Sequence, residues 1–262
     1  MRAKSFLAAA LMAAATTASA DPCATDDFET RVSGVSQCLL MRRYGPADPA
    51  AMVVWLHGDV SSGGPASYHF PIAQKAAGDL ASQRVLSVAL VRPGYPDGSG
   101  ESSTVSFTNG GRSDHYTKDN VSEVGAAIEK LRARYKPKTV ILVGHSGGAA
   151  TAAVLLGMKP QLAEGAVLVS CPCEITRWRA GRRAWDRSEN PLAWAGKVPA
   201  STRVIALTGT NDDNTGQELS TLYVAALAAR GIDAVFAPIA GATHNSAFRS
   251  PKVTDAISKL IR

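Results

Sequence analysis

Three short stretches carry residue types that could act together on a carbonyl: LVGHSGGAA at 142–150, LTGTNDDN at 207–214 and GATHNS at 241–246. A serine hydroxyl is a weak nucleophile at neutral pH. It needs an imidazole to take its proton and a carboxylate to orient that imidazole. Ser146 lies in GHSGG, a GxSxG pattern with glycine at 144 and 148. Of the five histidines, His57, His69 and His115 precede this pattern and His145 sits inside it, so only His244 follows it. The chain order Ser, Asp, His would place the base there. The acid is expected at Asp212, three residues after Gly209. Its neighbour Asp213 could instead orient the histidine, or cap a helix beginning near Gly216.

Five residues of pattern are weak evidence, but their context is demanding. TVILV before the serine reads as a buried strand and AATAAVLLGM after it as a helix. A sharp strand-to-helix turn tolerates side chains poorly at its flanks, which explains the glycines. Such a turn lifts the hydroxyl above a sheet, at a helix start where backbone N–H groups favour developing negative charge.

The elements needed to hold these residues can be read along the chain. Strands are expected over 28–32, 37–42, 52–56, 85–91, 139–143, 166–170, 203–208 and 234–238. Several, such as MVVWL, AVLVS and RVIALT, are continuous apolar runs of the kind covered on both faces. Helices are expected over 71–82, 121–135, 148–158, 216–229 and 251–261. This alternation predicts an α/β domain with a mostly parallel eight-stranded sheet and helices on both faces, the first two strands forming an antiparallel edge hairpin. Two long irregular stretches, 93–120 and 171–200, interrupt the pattern, and loops of that length are usually functional or mobile.

The opening MRAKSFLAAALMAAATTASA has a basic start, an apolar run and small residues at 18 and 20, the pattern of a secretory signal peptide over 1–20. The run is too short for a membrane span. Residues 21–262 would then form one catalytic domain, exported to the periplasm or the medium. Four cysteines, Cys23, Cys38, Cys171 and Cys173, fit disulfide formation in an exported chain. A Cys23–Cys38 bridge would close a short loop, whereas Cys171 and Cys173 are too near in sequence for an easy bridge to one another. The formal charge of +6 becomes +4 once Arg2 and Lys4 are removed. With no lysine-rich block, aromatic-basic interleaving over a sheet or zinc-finger spacing, a nucleic-acid partner has little support. CPC alone does not make a metal site, and the chemistry requires neither metal nor cofactor.

In order and spacing, VVWLHGD, LVGHSGG, ALTGTNDDN and GATH resemble the α/β-hydrolase fold over almost the whole mature chain. The stretch NPLAWAGKVPASTRVIALTGTNDD is similar to the prolyl-oligopeptidase and dienelactone-hydrolase-like branch. The resemblance implies Ser146 as nucleophile, Asp212 as orienting acid and His244 as base, with HG at 57–58 leading into the oxyanion loop. The family often has HGG or HGF where this chain has HGD. A carboxylate at Asp59 would oppose an oxyanion, so its side chain is expected to point away while its backbone N–H, with that of Gly147, forms the hole.

The ordered Ser146, Asp212 and His244 together with the signal-peptide pattern point to an exported serine hydrolase acting on a small ester. A short-peptide substrate for an oligopeptidase-type enzyme is the alternative, although that family usually adds a propeller domain and only a short segment precedes this one. Acyl transfer to an alcohol and a non-catalytic binding module are further alternatives. The arginine- and tryptophan-rich segment ITRWRAGRRAWDRSEN falls where such hydrolases carry a lid, within about 171–200. Trp178 and Trp185 could meet an acidic or aromatic substrate there, or pack as a solvated amphipathic cap. Tyr95 in RPGYPDGSG could line the acyl side, or simply belong to a turn.

Overall fold

In the computed structural model, residues 23, 25–61, 64–99 and 113–261 are described. The segment read as a signal peptide and part of the first long irregular stretch lie outside them. All eight expected strands form: β1 (Arg31–Ser33), β2 (Cys38–Tyr44), β3 (Ala51–Leu56), β4 (Val85–Leu90), β5 (Thr139–His145), β6 (Gly165–Val169), β7 (Arg203–Gly209) and β8 (Asp233–Ile239). They make one sheet in the order β1-β2-β4-β3-β5-β6-β7-β8. From β4 onward every pairing is parallel; β1 and β2 form the antiparallel hairpin at the edge.

The first strand starts later than its apolar pattern suggests. Phe28 takes a left-handed conformation, and the Asp27 carboxylate accepts from the amides of Glu29, Thr30 and Arg31, so these residues form a turn. The hairpin is tied to the body by buried Glu123, which accepts from the amides of Val35, Ser36 and Gln37.

Helices α1 (Phe70–Asp79), α2 (Lys118–Tyr135), α3 (Gly147–Met158), α4 (Ile175–Trp178), α5 (Pro191–Trp194), α6 (Gln217–Ala228), α7 (His244–Ala247) and α8 (Pro251–Ile261) complete the described chain. Strand alternation divides the core. Met52, Val54 and Leu56 of β3 face α2, α3 and α6, whereas Ala51, Val53 and Trp55 face α1 and α8. Helix α8 buries Val253, Ala256, Ile257 and Leu260, a 3.6-residue stripe, while α3 is buried nearly all round. Among the described residues no helix is long and apolar enough to cross a membrane.

Two disulfides are present, Cys23–Cys38 and Cys171–Cys173. The second forms although the two cysteines are too near in sequence for an easy bridge. Ser170 turns left-handed just after β6, and the chain through Pro172 folds back until the two Cα atoms are 5.0 Å apart, within disulfide reach. This bridge opens the 171–200 segment, which contains α4, α5 and a 3-10 turn at Ala195–Lys197.

The turn from β5 into α3 is possible because α3 approaches the sheet closely. A Cβ at Gly148 would run into the carbonyl oxygens of Leu56 and His57, and one at Gly144 into the backbone of Ala149. Gly148→Ala is therefore expected to cost about 1–3 kcal/mol through overpacking against backbone that cannot yield. A fall of several degrees in Tm on thermal denaturation would show it; an unchanged Tm would contradict this packing account.

Candidate active site

The segments that leave the carboxyl edge of the sheet converge on one cavity of about 660 Å³, lined among others by Gly58, Asp59, Tyr68, Ser146, Asn214 and His244. Ser146 sits between β5 and α3 at φ 52°, ψ −118°, a conformation rare for a residue with a side chain. Its N–H donates to Val169 O at 2.9 Å, pinning the turn to the end of β6. The next amide, Gly147 N–H, is the first of α3 and has no acceptor among the described residues, as helix geometry dictates.

Asp212 follows β7 and meets His244, which opens α7 after β8. His244 Nδ1 lies 3.1 and 3.0 Å from the two Asp212 oxygens. Because a carboxylate only accepts, Nδ1 is the protonated nitrogen and Nε2 keeps its lone pair, toward which the Asn214 amide reaches at 3.4 Å. The Asp212 side chain is fully enclosed. Burial opposes its charge, but hydrogen bonds from His244 and the Thr215 N–H prevail and hold the carboxyl at about 2. Thr215 Oγ1 joins the cluster, 3.0 Å from Asp212 Oδ2 and from Ser170 O and 3.1 Å from His244 Nδ1. Asp213 is exposed and outside this contact. Ser146 Oγ and His244 share the cavity but do not hydrogen bond to one another in this structure. In ligand-free sites such contacts are often long and tighten on binding.

The histidine inside GHSGG is structural glue. His145 Nε2 contacts His244 O at 3.0 Å, which makes Nε2 the donor, and its Nδ1 accepts from the Tyr68 hydroxyl at 2.7 Å. That hydroxyl in turn accepts from Gly58 N–H at 2.5 Å. One chain of hydrogen bonds thus connects the loop after β3, the serine turn and the histidine loop. It works only with a neutral imidazole. Burial, reinforced by His244, lowers His145 from 6.5 to about 4.

Asp59 departs from expectation. Its carboxylate turns into the wall of the cavity and does not swing out to solvent: Oδ1 accepts from Arg92 at 2.6 Å and from the Tyr95 hydroxyl at 3.1 Å, and Oδ2 from Tyr116 at 2.5 Å. Arg92 is buried and compensates the charge, so the carboxylate is neutralised where it stands. The Asp59 N–H, like that of Gly147, has no acceptor among the described residues, whereas the Gly58 N–H is taken by Tyr68. Tyr95, expected at the substrate surface, is fully buried with its ring 4.7 Å from His57 and its hydroxyl on Asp59. Trp178 and Trp185 do line the cavity, packed edge to face at 5.1 Å. Among the described residues no three His, Cys, Asp or Glu side chains cluster as a metal would need.

The sequence profile of the Alpha/beta hydrolase family matches residues 53–240. The chain belongs to the α/β hydrolase family. No curated protein sequence matches it significantly. Among solved structures it is similar to Est1E from Butyrivibrio proteoclasticus, at 13% identity over 89% of this chain and 99% of that one, with a TM-score of 0.64. It is also similar to the Pyrococcus furiosus esterase Pf2001, at 15% identity over 89% and 90% with a TM-score of 0.66. The Pyrococcus horikoshii acylaminoacyl peptidase matches at 14% identity over 88% of this chain but only 39% of that one, with a TM-score of 0.64.

In this α/β hydrolase the residues that sequence reasoning passed over are Tyr68, Arg92, Tyr116, His145 and Thr215. Arg92 left one trace, an arginine just past the buried run of β4, whose one polar residue is Ser87; Tyr68 and Tyr116 left none, because their partners are distant in the chain.

Two of the buried histidines, His69 and His145, set a pH dependence. His69 is held at about 3 by burial and His145 at about 4. The unfolded chain takes up these protons near 6.5 while the fold refuses them, so stability present at pH 7 is lost as pH falls toward 4, on the order of 3 kcal/mol for each group. Urea unfolding midpoints should drop between pH 7 and pH 4.5, and His145→Gln should make that drop shallower. A pH-independent midpoint over this window would contradict the assignment.

Proposed function

We propose that the protein is an exported serine hydrolase that cleaves carboxylic esters through an acyl-enzyme on Ser146. The observation that carries this reading is the enclosed Asp212 carboxylate on His244 Nδ1, leaving Nε2 as a base in the same cavity as Ser146. His244 removes the hydroxyl proton as Ser146 attacks the carbonyl, and Asp212 holds the imidazole in its tautomer and stabilises the imidazolium that forms. The oxyanion is received by the amides of Asp59 and Gly147, both without other acceptors among the described residues and one at a helix start. His244 then returns its proton to the leaving alcohol, and water releases the acid by the same steps in reverse. Arg92 neutralises Asp59, so the carboxylate beside the hole does not repel the developing charge.

Ester cleavage is the primary reading because the fold match to the Pyrococcus furiosus esterase Pf2001 spans 90% of that chain, whereas the match to the acylaminoacyl peptidase spans 39% of it. A peptidase remains the second reading, favoured by the fold shared with part of the acylaminoacyl peptidase. The disulfide at Cys23–Cys38 supports an oxidising, extracytoplasmic location.

With p-nitrophenyl butyrate, Ser146→Ala should lower kcat by about 10⁴-fold or more and Asp212→Asn by about 10³- to 10⁴-fold. Asp213→Asn should stay near the wild-type rate. Undiminished turnover by Ser146→Ala would refute the acyl-enzyme. Faster turnover of an aminoacyl p-nitroanilide than of the ester would favour the peptidase.

A further inference from the structure

The cavity over Ser146 is electrostatically one-sided. Among the described residues four guanidinium groups line it, Arg179, Arg182, Arg183 and Arg249, against one carboxylate, Asp59. That carboxylate is already committed to Arg92, Tyr95 and Tyr116. Among the described residues no Asp or Glu forms an ion pair with any of the four arginines. Arg179 lies over the rings of Trp178 and Trp185, at 5.3 and 5.0 Å, and its Nε donates to Arg183 O at 3.0 Å. This contact closes a turn through Gly181, φ 72°, which presents Arg182 and Arg183 to the cavity. The turn is anchored on both sides. Trp178 Nε1 donates to Asn214 O at 2.9 Å beside the Asp212–His244 pair, and the amides of Arg187 and Ser188 donate to the buried Asp114. Arg249, just after α7, lines the same cavity.

We propose that the substrates are esters carrying a carboxylate remote from the scissile bond, which these arginines receive. This inference rests on the ester-hydrolase reading and deepens it by naming the substrate class. Four cations at the mouth of one cavity repel one another unless a ligand brings negative charge. Guanidinium groups give that charge a planar, bidentate partner, and they are more weakly hydrated than ammonium groups. A Trp-backed guanidinium at the floor of the turn keeps its donors directed and loses little freedom on binding. A neutral ester gains none of this and must share the site with unpaired cations.

The test compares monomethyl adipate, an anion at pH 7, with neutral dimethyl adipate, binding each to Ser146→Ala and following tryptophan fluorescence. Because this variant does not turn over, the measurement stands apart from the acyl-enzyme reading, whose own failure would appear as absent hydrolysis by the wild type. At about 20 mM salt the anion should bind at least about ten-fold tighter, and the gap should narrow at about 500 mM salt as the charges are screened. Adding Arg182→Gln, Arg183→Gln and Arg249→Gln together should bring the ratio close to one, with the circular dichroism of the fold retained. Equal affinities at low salt, or a preference that survives the triple substitution, would overturn the proposal.

Discussion

The reversal of the chain at Ser146 depends on how closely α3 can approach the end of β3, and the rest of the site is built on that approach. Gly148 packs on the carbonyls of Leu56 and His57, Gly144 on Ala149, and the Ser146 amide is fixed to Val169. These contacts leave the serine in a backbone conformation it would otherwise avoid. The same packing brings the loop after β3 up against the first turn of α3, with Gly58 close on Ser146 and the Asp59 carboxylate close on Gly147. One steric requirement thus sets the position of the hydroxyl.

Above this steric base, the polar groups are arranged so that each charge near the cavity has its complement. Asp212 is enclosed yet ionised because His244, Thr215 and the local amides supply donors. Asp59 is tolerated beside the amides because a buried arginine and two tyrosines surround it. His145, in contrast, is kept neutral, and its two nitrogens are spent connecting the Tyr68 hydroxyl to the His244 backbone. Removing a single member of such a network strands a buried polar partner, which costs more than the contact itself is worth. Arg179, Arg182, Arg183 and Arg249 are the exception, since none of them has an acidic ion-pair partner among the described residues.

The fold was largely legible in the amino-acid sequence because strands covered on both faces must be apolar throughout. MVVWL, TVILV and RVIALT therefore announce themselves without alternation, and the helices between them force parallel pairing. The serine turn was legible for a steric reason, as the glycines around it follow from backbone contact. His244 stood out as the one histidine after Ser146, and Asp212 by its place three residues after Gly209, with Asp213 left open beside it. What was not legible depends on partners far apart in the chain. Asp59 was expected to turn away, and only the approach of Arg92 and Tyr116, 33 and 57 residues later, makes an inward carboxylate affordable. Tyr95 could be read as lining the acyl side or as part of a Pro- and Gly-rich turn, and only the structure shows its ring buried against His57. The Cys171–Cys173 bridge depends on a left-handed residue at Ser170, a conformation no residue type there foretells.

The central claim is that the serine held by this turn is a nucleophile activated by His244. Its most direct test is reaction with a fluorophosphonate, followed by peptide mass mapping and by the crystal structure of the adduct. The account predicts a single adduct on Ser146 Oγ, formed far more slowly in His244→Gln, with the phosphoryl oxygen received by the amides of Asp59 and Gly147. A folded protein that remains unlabelled, or an adduct with its oxygen turned away from both amides, would contradict it.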